Sequence, residues 1–103
     1  MKTAINTNDK GWEIKLRFMS YFDGDMNSDP MPGTSSTYAM GICSLKYDET
    51  ANELNVCIRR PGLLVGLHGK IINDLEKYLD CKVRIYEYDI LSNTLDICDY
   101  LYK

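Results

Sequence analysis

No window of the 103-residue chain approaches the eighteen or more consecutive apolar residues that a membrane-spanning helix needs. The opening stretch MKTAINTNDKGWE also lacks the apolar centre of a secretory signal. The expectation is a protein with no membrane partner, working in the cytoplasm. The four cysteines, Cys43, Cys57, Cys81 and Cys98, contain no C-x-x-C pair, and His68 is the only histidine. Such spacing argues against a zinc site and leaves reduced thiols, some of them acting as small buried apolar groups. No cofactor is implied. The chain also has no P-loop and no nucleophile set beside a candidate base, so no catalytic constellation can be assembled and the reading is non-enzymatic.

What is present fits one small domain, with 45% apolar and 26% charged residues. A formal net charge of −3 argues against nucleic acid as a partner, because such binding leans on phosphate neutralisation. The average conceals an asymmetry. Between Arg59 and Arg84 six Lys/Arg stand against three acids, whereas the rest of the chain has six against twelve. The one basic segment also holds His68 and two glycines three apart, Gly66 and Gly69.

In GWEIKLRFM, residues 12, 14, 16 and 18 are apolar and alternate with charged ones, the period of a strand with one buried face. Asp23 to Thr37, rich in proline, glycine and small polar residues, reads as a long exposed loop. YAMGICSLKYD and NELNVCIRR are alternating segments joined by DETAN, a hairpin pattern, with Leu54, Val56 and Ile58 on one face of the second. Pro61 and Gly62 end that strand, and PGLLV supplies a short helical turn. KIINDLEKYL spaces its apolar residues at helical intervals, and KVRIYEY returns to strand. The tail ILSNTLDICDYLYK suits a short helix or one more strand equally.

From Leu54 to Tyr88 this order, with Val65-Gly66-Leu67-His68-Gly69-Lys70-Ile71-Ile72 in register with an aliphatic-G-x-x-G-x-x-aliphatic pattern, resembles the KH (K-homology) domain. RPGLLVGLHGKIINDLEKYL looks most like the type II version, in which an extra strand, here GICSLKYD, precedes the βααβ unit. The resemblance implies an α+β fold: a mixed sheet of three or more strands packed on two to three helices. Residues 38–90 would form the core, 91–103 a C-terminal extension, and 1–37, with a strand and a long loop, would lie outside the match. Type II domains often carry a helix before the extra strand, so a strand at residues 12–19 departs from the pattern.

The same resemblance implies binding of single-stranded RNA, or single-stranded DNA, across a glycine loop whose backbone approaches phosphate closely. Main-chain amides at the start of the second helix would receive the anion. Carried over by position, Gly66 and Gly69 form the loop, Leu67 and His68 are its exposed pair, and Lys70 faces a phosphate. Arg59 or Arg60 borders the anion path, Val65 and Ile72 offer an apolar floor, and Arg84 edges the groove. Leucine and histidine stand where strong binders often carry lysine or arginine, which lowers the expected affinity. Each assignment has a structural rival: glycines that only permit close helix packing, core roles for Val65 and Ile72, and sheet packing for Tyr86 and Tyr88. The rival function is a protein-contact or self-association module, with Leu67 as an exposed contact.

Overall fold

The computed structural model describes residues 10–89 and the strand at 94–98. Its elements run α1 (Lys10–Asp23), α2 (Thr37–Met40), β1 (Ile42–Asp48), β2 (Glu53–Ile58), α3 (Pro61–Val65), a 3-10 turn (Leu67–Gly69), α4 (Lys70–Leu79), β3 (Lys82–Asp89) and β4 (Thr94–Cys98). Residues 1–9, and with them most of the stretch read for a signal, lie outside the described residues.

The strand expected at residues 12–19 is instead the body of α1. Helix and strand patterns share Ile14 and Phe18, so the choice between them rests on residues further along. Tyr21 and Phe22 are buried with Ile14 and Phe18, an i, i+4, i+7, i+8 stripe with the 3.6-residue period. Trp12 and Leu16, which alternation groups with them, remain 40% and 49% exposed. The ring of Phe22 packs against Phe18 at 5.1 Å and against Tyr21 at 4.9 Å between centroids, so the stripe is an aromatic cluster over the core.

The loop after α1 is exposed, as expected, but its polar residues tie it down. The Asp23 carboxylate accepts from the Thr37 amide (2.9 Å) and hydroxyl (2.6 Å), joining the end of α1 to the start of α2. Asp25 accepts from the Ser20 hydroxyl (2.8 Å) and from the amides of Asn27 and Ser28, and these bonds, the Ser20 one foremost, hold its carboxyl below the usual carboxylate range. The Met31 amide returns to the Tyr21 carbonyl (2.9 Å). Tyr38 to Met40, read as the start of a strand, form a helical turn instead. Ser36 caps it by accepting from the Ala39 amide, and Gly41 closes it in the left-handed region at φ 75°.

The four strands stand in the order β1-β2-β3-β4. β1 and β2 form the expected hairpin, β2 and β3 are parallel, and β3 and β4 are antiparallel, so the sheet is mixed. The tail thus takes the strand alternative over Thr94–Cys98, while residues 90–93 and 99–103 fall outside the description. A parallel pair requires a long crossover, and α3, the turn and α4 supply it. Leu54, Val56 and Ile58 of β2 and Val83 and Ile85 of β3 are buried beneath Leu64 of α3, Ile72, Leu75 and Leu79 of α4, and the α1 aromatics. Alternation puts Asn55, Cys57, Arg84 and Tyr86 on the opposite face, where all four are half-buried. There the Tyr86 hydroxyl donates to Asn55 Oδ1 (3.1 Å), which favours the sheet role for that tyrosine.

β1 slips by one residue between Ile42 and Ser44, so Cys43 is the extra residue opposite Cys57. The Cys43 thiol is exposed and donates to the Gly41 carbonyl. Burial first, then the neighbouring Cys43 thiol, pushes the Cys57 thiol up. Cys81 is buried; its thiol is raised by burial above all, with Lys10 opposing and Glu76 and Asp80 adding to the rise. Since the thiolate is the nucleophile, iodoacetamide near pH 7.5 is expected to label Cys43 first, Cys57 more slowly and Cys81 only on unfolding, as read by peptide mass spectrometry. Labelling of Cys81 as fast as Cys43 would contradict the packing at the end of α4.

Candidate nucleic-acid interface

The basic segment folds into two helices joined by a turn of mostly left-handed backbone. Gly66 (φ 78°, ψ 175°), His68 (φ 55°) and Gly69 (φ 74°) all have positive φ. The first combination is a conformation essentially reserved for glycine, and histidine is among the residues that tolerate the left-handed region. The two glycines serve different ends. A Cβ on Gly66 would lie 2.6 Å from Ile71 Cγ1, so that glycine is there because the Ile71 side chain packs onto the backbone. A Cβ on Gly69 would meet only ordinary van der Waals contacts, the nearest Asn73 Nδ2 at 3.7 Å, so no neighbour excludes a side chain there. Close packing, the structural rival, therefore accounts for the first glycine and not for the second.

Leu67 is 79% exposed, and His68 and Lys70 are exposed beside it. Several amides expected to face an anion are already used. Gly66 N–H donates to the Gly62 carbonyl (3.0 Å), Gly69 N–H to Gly66 (3.1 Å) and Lys70 N–H to Leu67, so the start of α4 does not offer them. The amides of Leu67 and His68 open the 3-10 turn and have no carbonyl within it to receive them. The exposed donors thus sit at the tip of the turn, one step earlier than the sequence pattern suggests. Lys70 Nζ stands 3.7 Å from Asp74 Oδ2, an exposed pair one helical turn apart that leaves both groups available to solvent.

The remaining candidates lie apart from the tip. Arg59 and Arg60 precede α3, which puts Arg60 about 9 Å from Gly66 along the helix axis at 1.5 Å per residue. Arg60 Nη1 donates to the Ala39 carbonyl (3.0 Å), and the Arg59 stem packs against Gly41, so both help fasten α2. Val65 and Ile72 belong to the core, Ile72 fully buried, and support the turn from beneath. Arg84 is on the sheet face away from the helices, 4.0 Å from Glu53. The structure brings Leu67, His68, Gly69 and Lys70 together; it does not bring Arg59, Arg60 or Arg84 to them.

A cleft of about 410 Å³ opens beside the turn. The loop residues Met31, Pro32, Gly33 and Thr34 line one side, and Leu67, Lys70, Ile71 and Asp74 the other, with Tyr21 between. Sequence reasoning does not find Tyr21, Ile71 or the 31–34 segment. The helical stripe of α1 carries a signal for Tyr21, but nothing local marks residues 31–34 as neighbours of a turn more than thirty positions away. A larger hollow, about 630 Å³, lies at the far end of α4 among Asn52, Asn73, Glu76, Lys77, Asp80 and Cys81, and holds no residue of the turn. Among the described residues no group of three or more His, Cys, Asp or Glu is placed to hold a metal ion, and no helix is long and apolar enough to cross a membrane. The chain matches no family model, no curated protein and no solved structure.

Proposed function

We propose that this chain is a non-catalytic module of the type II KH kind that binds single-stranded RNA, or single-stranded DNA, at the Gly66–Gly69 turn. The observation that carries the reading is the turn itself: an exposed Leu67-His68 tip whose two amides are not used within the 3-10 turn, next to a Gly69 that puts no side chain in the way of a strand. The element order supports it as well. A helix, a hairpin and a helix-turn-helix crossover to a parallel strand match the type II order, and α1 takes away the departure that a strand at 12–19 would have made. Phosphate would meet the tip amides and Lys70.

Changing Leu67 and His68 together to aspartate sets two negative charges against the strand on two exposed residues. Retention of a labelled oligonucleotide in a filter assay is expected to vanish while the circular dichroism spectrum and thermal midpoint stay close to those of the parent. Unchanged retention would refute the assignment. Affinity should also fall with salt, log K changing by about −0.7 per log unit of salt for each phosphate neutralised.

One observation favours a second reading, a protein-contact module: Leu67 is an exposed apolar residue at the rim of a cleft lined by Tyr21, Met31 and Ile71. That alternative expects no oligonucleotide binding. It predicts instead association that is nearly indifferent to salt, seen as a concentration-dependent sedimentation coefficient or as capture of another chain.

A further inference from the structure

The cleft beside the turn has a chemistry of its own. Its wall at residues 31–34 is tied to α1 by the Met31 amide on the Tyr21 carbonyl (2.9 Å) and braced within itself by the Thr34 hydroxyl on the Met31 carbonyl (2.7 Å). Met31, Pro32, Leu67 and Ile71 share the lining, so the cleft offers apolar surface to the face of a base. At the rim stands the Asp74 carboxylate, an acceptor with no donor capacity when ionised. It lies close enough to Tyr21 for its charge to raise that phenol, after burial, which is the larger cause.

Among RNA bases, guanine presents an N1–H and an N2–H₂ side by side, two parallel donors that match the two oxygens of a carboxylate. Cytosine and adenine offer a single amino group on that edge. Uracil offers one N–H between two carbonyls, which a carboxylate repels. We propose, resting on the nucleic-acid reading of the turn, that the cleft seats one unpaired guanine of the bound strand, its amino edge on Asp74 and an adjacent phosphate toward Lys70. The module would then read one base on the α1 side of the turn, through a loop that lies outside the KH match.

The test measures fluorescence anisotropy of the intact chain with a short labelled oligouridine and with the same oligomer carrying a central guanosine, cytidine or adenosine. The guanosine form is expected to bind tighter than oligouridine by about fivefold to tenfold, the lower part of the range for a bidentate contact because Asp74 is half-exposed. Asp74→Asn keeps the shape but removes one acceptor and the charge. It should bring all four oligomers to within about twofold of one another, with affinity for oligouridine unchanged or raised. Equal binding of the four by the parent chain, or a guanosine preference that survives in Asp74→Asn, would overturn the guanine assignment while leaving the module an oligonucleotide binder. Failure of every oligomer to bind would overturn the nucleic-acid reading and the guanine seat together. Displacement of the guanosine oligomer by an equal concentration of guanosine monophosphate would assign the cleft to a free nucleotide and refute the strand.

Discussion

Replacing Phe18 by alanine is expected to lower the stability of the domain by about 3–5 kcal/mol, measured as the shift in a urea unfolding curve at constant m. The side chain is fully buried, packs against Phe22, and belongs to the stripe that seals α1 over the sheet and α4. Its removal strips a large apolar surface of its partners and leaves a cavity that the rigid neighbours fill only in part. Against a total of about 5–15 kcal/mol for a small domain, that loss is a large fraction of the whole. Leu16→Ala is the control. A strand at residues 12–19 would place Leu16 and Phe18 on one face at similar cost, whereas the helix leaves Leu16 half in solvent. The exposed change should shift stability by less than about 1 kcal/mol. Similar losses at both positions would contradict α1 as a helix docked through Ile14, Phe18, Tyr21 and Phe22.

The second large effect separates the two glycines. Gly66→Ala meets both a backbone conformation that side chains scarcely adopt and a contact with Ile71 far inside van der Waals range. Strain of about 1–3 kcal/mol and overpacking of similar size give an expected loss of about 2–6 kcal/mol, with the helix-turn-helix unit displaced. Gly69→Ala carries only the left-handed penalty, about 1–2 kcal/mol, because a Cβ there would meet only ordinary van der Waals contacts. The two variants should also differ in binding. Gly69→Ala puts a methyl group where the proposed strand passes, so it is expected to weaken oligonucleotide affinity by more than its small stability loss explains. Equal stability losses at the two sites would show that Ile71 does not press on Gly66.

The parts legible in the sequence are those whose pattern is local. β2, β3, α3, α4 and the hairpin carry their periodicity within their own residues, and Pro61 and Gly62 mark the boundary between strand and helix by chemistry alone. α1 reads locally as a strand because Ile14 and Phe18, four apart, satisfy periods of both two and 3.6. The window that shows alternation ends before Tyr21 and Phe22 break it. At the turn, the exposure of Leu67, His68 and Lys70 follows from the G-x-x-G pattern. The use of the Gly69 and Lys70 amides does not, since the pattern does not distinguish a 3-10 turn that closes on itself from a helix that opens outward.

By itself, the amino-acid order determined that a basic, glycine-hinged pair of helices connects two strands, because hydrophobic period, proline and glycine act within a few residues of themselves. Only the tertiary structure decided which face of α1 is buried and that Met31 and Pro32 line one cleft with Leu67. Those outcomes rest on contacts between segments tens of residues apart. Burial, rather than local preference, selects the partner there, and it can do so only once the chain has collapsed around a single core.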